Sequence, residues 1–419
     1  MTRRPLASPG SLGAFALVAA LALLGALALA PPVGAVTRRM FVTDGSCNGD
    51  LGACSAEIGD TGVTAGNNLC QAAAVAAGLS PGGEPFRAWI SDSTADAFCN
   101  VLGLAGHLAD VPPCGQDPLP AGGPWMRLDG VPFSSLAGVA GSRPLTPASI
   151  TESLAHLGLQ NFHTGTTTFG AVSANNCTNW TDGTAGSQVD GGNTDSTSSD
   201  FASGASVGCN APQRLLCLEV GGGDPLVYPS LPGALAFVTA ATGSGKLSTW
   251  PGSSSHDGVA GATGVCRTAA TAAKLPFPAS FEAWVSVSGD NASARLTIDG
   301  PWERIDGVPL AATKTELTNG NLRAEIDVDE NGGRVGEDMA YTGTSDGGTW
   351  SGDDCVAWSS EDSGQGADTG KTWRAVQWSS ALLRTCDLAH HLYCFSNQLL
   401  LGWDNFESGN FSRWTAVGP

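Results

Sequence analysis

Basic residues are scarce in this sequence: 20 Lys and Arg stand against 39 Asp and Glu over 419 residues. Two of them, Arg3 and Arg4, precede an apolar run, so from Val36 onward the balance is 18 against 39, or −21. A surface of that sign repels polyanions, which argues against nucleic acid or an anionic membrane face as partner. Catalytic signatures are missing as well, with no Gly-x-Ser-x-Gly elbow and no His-Glu-x-x-His. Gly243-Ser-Gly-Lys-Leu-Ser248 resembles the end of a phosphate loop, but it lacks the leading glycine and Leu247 separates Lys246 from Ser248. Paired carboxylates exist at Asp353-Asp354 and Glu361-Asp362, yet nothing in their spacing favours glycoside chemistry. Cys-x-x-Cys spacing is absent too, which leaves a thiolate zinc site without support.

What is present begins with an export signal. Arg3 and Arg4 supply a positive start, Ala14–Ala30 is uncharged and apolar, and Val33-Gly34-Ala35 offers small residues for cleavage. Residues 1–35 are therefore expected to be removed, leaving no membrane span. An uncleaved anchor is the rival reading. All twelve cysteines follow residue 35, and an even count in an exported chain points to disulfides.

The remainder is one pattern written twice. Phe41-Val-Thr43 is answered by Phe237-Val-Thr239, and the Ala-rich helical stretch at Cys70 by another at Cys266. Gly123-Pro-Trp-Met-Arg-Leu-Asp-Gly-Val-Pro132 is answered by Gly300-Pro-Trp-Glu-Arg-Ile-Asp-Gly-Val-Pro309, each with an Asp-Gly hairpin signal. Trp125 and Trp302 then read as core anchors. Cys177-Thr-Asn-Trp180 matches Cys355-Val-Ala-Trp358, and both repeats close with two cysteines eight residues apart, Cys209/Cys217 and Cys386/Cys394. The first repeat carries 18 extra residues between Trp89 and Trp125, holding Cys99 and Cys114, which predicts a self-stapled insertion at about 90–120. Cys47 and Cys54 form the remaining pair. Domains are expected at 36–220 and 234–396, with a Gly/Pro linker at 221–233 and a tail at 397–419. Thr181–Ser206, rich in Gly, Ser, Thr and Asp, reads as a long surface loop.

This cysteine frame resembles the C-type-lectin-like fold. More closely, Phe-Val-Thr, Gly-Pro-Trp-x-Arg-x-Asp-Gly, Thr-Gly-Thr (164–166, 342–344), Cys-x-x-Trp and Leu392-Tyr-Cys394 resemble an uncharacterised family of bacterial exported domains, known in leptospires, with a lectin-like or endostatin-like fold. The resemblance implies two tandem α+β domains. It also implies the pairings Cys70–Cys217, Cys177–Cys209, Cys266–Cys394 and Cys355–Cys386. The Glu-Pro-Asn, Gln-Pro-Asp and Trp-Asn-Asp triplets of calcium-dependent sugar-binding lectins are absent.

Two candidate sites fall in the second repeat. Asp327, Asp329 and Asn331, with Gly332 and Asp338, stand at EF-hand-like positions for calcium, although Arg334 occupies a normally apolar place. Trp350 and Trp373 lie among small polar residues, where an exposed indole could stack on a sugar or anchor an interface. The expectation is a non-catalytic module, secreted or at the bacterial outer surface, that binds a glycan or an extracellular or host protein. A hydrolase or lyase using the acidic loops of the second repeat, or a structural envelope protein, are the rivals.

Overall fold

The computed structural model describes residues 36–55, 59–79, 85–226 and 233–400. The expected signal segment, the linker stretch 227–232 and the tail beyond Leu400 lie outside the described residues. The first repeat forms eight strands: β1 (Arg38–Val42), β2 (Phe86–Ala88), β3 (Trp125–Arg127), β4 (Pro132–Ser134), β5 (Asn161–His163), β6 (Gln188–Asn193), β7 (Ala205–Gly208) and β8 (Arg214–Glu219). They build one sheet in the order β4-β3-β1-β8-β5-β6-β7, with β2 also on β8. The second repeat supplies β9 (Ala234–Val238), β10 (Phe281–Ala283), β11 (Trp302–Arg304), β12 (Pro309–Ala311), β13 (Met339–Tyr341), β14 (Gly366–Lys371), β15 (Leu382–Thr385) and β16 (His391–Ser396). Its sheet has the same order with every number raised by eight. The described chain is thus mixed α/β, two sheets of eight strands each, and the duplication is structural.

Both faces of each sheet are covered, because strand side chains alternate. Phe41 points with Leu215 and Cys217 into a core under helix α1 (Gly62–Ala76). Met40, Val42, Leu216 and Leu218 face the opposite core with Trp89, Trp125 and Phe162. Small residues let α1 lie close: a Cβ on Gly66 would come within 2.4 Å of the Ile90 side chain. The second helix, α2 (Gly258–Ala272), packs equivalently. Trp125, Trp180, Trp302 and Trp358 are fully buried, and each indole N–H donates to a backbone carbonyl, on Glu219, Ser91, Ser396 and Ser286 respectively. Pairing that donor spares these four indoles the cost of burying an unsatisfied N–H.

Six disulfides close the fold: Cys47–Cys54, Cys70–Cys217, Cys99–Cys114, Cys177–Cys209, Cys266–Cys394 and Cys355–Cys386. These are the partners that the cysteine frame and its resemblance imply, and no described cysteine is free. Six such bonds mark an oxidising compartment. No helix among the described residues is long and apolar enough to cross a membrane.

Each Cys-x-x-Trp segment makes a left-handed turn. Cys177, Thr178, Asn179 and Trp180 have φ of 52° to 63°, and Cys355, Val356, Ala357 and Trp358 have φ of 50° to 62°. L-residues avoid this region because Cβ crowds the carbonyl, at roughly 1–2 kcal/mol per residue. The turn is held at one end by the disulfide and at the other by the buried Trp. Between them, the side chain of Asn176 or Asp354 accepts the N–H of Asn179 or Ala357.

The structure corrects two expectations. Thr181–Ser206 is not a surface loop: it contains β6 and the helical turn Asp200–Ser203, and Asn193–Ser198 are buried. Many of its polar groups are paired within the fold, for example the Thr194 hydroxyl donating to Gly158 O. The linker is not free from its start either. Gly221 and Gly223 bracket Gly123 through backbone bonds, Gly123 N–H to Gly221 O and Gly223 N–H to Gly123 O.

The repeats meet along a seam in which equivalent residues exchange equivalent bonds. Arg127 donates to Arg323 O and its counterpart Arg304 to Leu145 O. Ser196 and Arg374, which occupy matching positions just after β6 and β14, form an antiparallel bridge. On either side, Ala375 N–H donates to Asp195 O, and Thr197 N–H to Trp373 O. Crossing bonds of this kind define an approximate two-fold axis. Some contacts break the symmetry: the Arg374 guanidinium enters the first repeat, its Nη1 donating to both Asp195 oxygens at 2.9 and 3.1 Å and its Nη2 reaching Asp200, and Ser199 donates to Glu337.

Candidate functional site

At the end of the first sheet that meets the seam, β5 and β8 frame an open pocket of about 470 Å³. Four amides, Gln160, Asn161, Asn193 and Gln213, line it beside the Ser46 hydroxyl. Two guanidiniums complete the wall, Arg214 from β8 and Arg374 from the other repeat. The lining contains no carboxylate and no imidazole. Arg214 is held by the carbonyls of Thr43 and Asp44.

Gln213 is the unusual member. It is 4% exposed, and neither its amide oxygen nor its amide nitrogen has a hydrogen-bond partner. A buried polar group left unpaired costs roughly 1–3 kcal/mol. Its position is fixed by backbone pairing with Cys47 in both directions. A second hollow of about 300 Å³ lies on the other side of Gln213, lined by Thr43, Leu69, Ala73, Glu152, Leu215 and the Cys47–Cys54 disulfide. Burial raises the Glu152 carboxyl, whose Oε2 accepts the Asp44 N–H.

In the second repeat, the positions of Gln160, Gln213 and Arg214 are taken by Asp338, His390 and His391. His391 Nδ1 lies 2.5 Å from Thr239 O, and its Nε2 lies 3.4 Å from Asp338. His390 stacks edge-on to Tyr341 at 4.9 Å, 3.7 Å from Asp338. Burial lowers its pKa. Both rings are buried.

The residues expected to hold calcium are not brought together. Asp327, 4% exposed, sits between Arg304 at 2.7 Å and Arg334 at 3.2 Å, next to the fully buried Glu325. Asp329 accepts the N–H groups of Asn331 and Gly333. Asp338 faces the two histidines. Among the described residues, no group of three or more His, Cys, Asp or Glu is arranged to hold a metal ion. Arg334 is the reason: it turns the loop's first carboxylate into an ion-pair partner. Burial raises the Asp327 carboxyl while Arg304 and Arg334 oppose the rise, and the group lies in the seam and lines neither pocket.

The two candidate tryptophans also part company. Trp350 is 38% exposed, with its N–H on Asp354 and its backbone N–H on Asn291. Trp373 is half-buried at the seam, under the Lys371 ammonium, and its indole N–H is unpartnered. Sequence reasoning missed Gln213, since a glutamine before a core strand carries no signal of its own. The mismatch between Gln213 and His390 in otherwise matching repeats was the available clue.

The fold is that of a duplicated, disulfide-closed mixed α/β protein. No protein-family model and no curated protein matches the chain.

Proposed function

We propose that this chain is an exported, lectin-like binding module that recognises a hydroxyl-rich ligand, a glycan, in the pocket between β5, β8 and Arg374. The observation that carries this reading is the Gln213 amide, buried and unpaired in the wall of a pocket whose polar lining is three further amides, the Ser46 hydroxyl and two guanidiniums, beside the apolar Leu159, Val207, Ala211 and Pro212. Sugar hydroxyls both donate and accept, so they complement a primary amide, which does the same. The lining offers no general acid or base, which favours binding over hydrolysis. The dispersed calcium candidates favour recognition without a metal.

A glycan array, read with and without EDTA, tests the reading. Binding should survive EDTA and fall at least tenfold in Gln213→Leu, which keeps the side-chain volume. Binding abolished by EDTA, or unchanged in Gln213→Leu, overturns the assignment. Silence on every glycan, with capture of an extracellular protein, moves the ligand to the protein class.

A further inference from the structure

We infer that the hollow beside the Cys47–Cys54 disulfide is a separate site for a flat aromatic ring carrying an N–H, of the indole class. The argument comes from comparing the repeats with each other. Cys47 and Gly243 hold the same place, since Cys47 pairs with Gln213 and Gly243 with His390. Cys54 and Trp250 hold the same place, each ending a one-turn helix, Leu51–Ala53 and Leu247–Thr249. Where the first repeat has a disulfide, the second therefore has a glycine and a tryptophan.

The indole lies in the space the first cysteine would fill. A Cβ on Gly243 would fall 2.5 Å from Trp250 Cε2 and Nε1. Trp250 is only 4% exposed and packs in one core with Leu247, Val265 and Leu392. Its N–H donates to Ser244 O at 2.7 Å. The matching walls in the first repeat, Leu69, Ala73 and Leu215, face a hollow of about 300 Å³ in place of a ring. A disulfide has much less bulk than an indole, so the exchange leaves a cavity the rest of the fold is shaped to accept.

Two groups make this hollow more than a packing gap. Gln213 lines it, nine-tenths buried, with an unpaired amide oxygen that would accept a ring N–H. Glu152 lines it as well, and its carboxylate disfavours anionic aromatics. The site thus suits a neutral or cationic ring. It does not depend on the glycan reading.

The test is calorimetric titration of the full chain with indole. Wild type is expected to bind one equivalent saturably, and indole-3-acetate at least tenfold more weakly. Ala73→Phe, which fills the hollow from α1, should abolish binding while circular dichroism and Tm stay unchanged. Trp250→Ala should take up a second equivalent. No saturable binding to wild type, equal affinity for indole-3-acetate, or binding retained in Ala73→Phe would each overturn the inference. If Trp250→Ala fails to fold, Ala73→Phe decides the matter alone. Glycan binding that persists in Ala73→Phe separates this site from the larger pocket.

Discussion

His163 illustrates how much a single buried ring sets. It lies fully buried on β5, its Nε2 2.9 Å from Cys47 O, while Nδ1 has no partner. Burial lowers its pKa to about 4. The unfolded chain takes up a proton near pH 6.5, whereas the folded chain resists until about pH 4. This contribution is complete above pH 6.5 and is lost as pH falls toward 4, by about 3 kcal/mol. Urea midpoints measured from pH 7.5 to 4 should decline less steeply in His163→Gln than in wild type, and equal slopes would refute the assignment. At this scale the sequence was most legible where the repeats agree. The paired tryptophans and the twelve cysteines all occupy core or bridging positions. It was least legible where the repeats differ, at Gln213 against His390 and Cys54 against Trp250, because one copy hides what the other fills.

The left-handed turns carry the prediction at the level of elements. Val356 has φ of 57°, is β-branched, and is 55% exposed, so its side chain contributes little packing. Val356→Gly relieves the crowding of Cβ and gives back part of that gain through the freer unfolded chain. The net expectation is a gain of about 1 kcal/mol, read as a higher Tm, and a lower Tm would contradict the strain. Neither turn was visible in Cys-Thr-Asn-Trp or Cys-Val-Ala-Trp, since Asn179 alone among these residues favours positive φ. The misreading of Thr181–Ser206 has a different cause. Strand β6, Gln-Val-Asp-Gly-Gly-Asn, has no apolar alternation, and pairing with β5 and β7 holds it in place. Gly192 is required by close approach: a Cβ there would meet Phe201 O at 1.9 Å. The Asp-Gly hairpins, by contrast, were readable, and Gly130 and Gly307 take φ of 81° and 86°.

For the whole molecule, the seam is the feature that composition could not reveal, because most of its bonds end on backbone carbonyls. Among its side-chain pairs, Arg374–Asp195 is the buried ion pair, with Asp195 at 1% and Arg374 at 8% exposure. Removing one member of a buried pair strands the other, at about 3–5 kcal/mol. Arg374→Leu should therefore destabilise by that amount, and Asp195→Leu added to it should restore much of the loss. Denaturant unfolding of the two single variants and the double variant measures the coupling. Additive losses would show that the pair is not what joins the repeats. Arg374 also walls the larger pocket, so the single variant should weaken glycan binding even in the folded fraction.

The approximate two-fold axis has a consequence in mass action. Two separate copies meeting through such a seam would form a dimer that dilution pulls apart. Because one chain runs through both, their effective concentration is fixed by covalent continuity, whatever the protein concentration. Freed from the need to remain identical, the halves could diverge in sequence without losing each other, and the pocket completed by Arg374 of the opposite repeat is a product of that freedom.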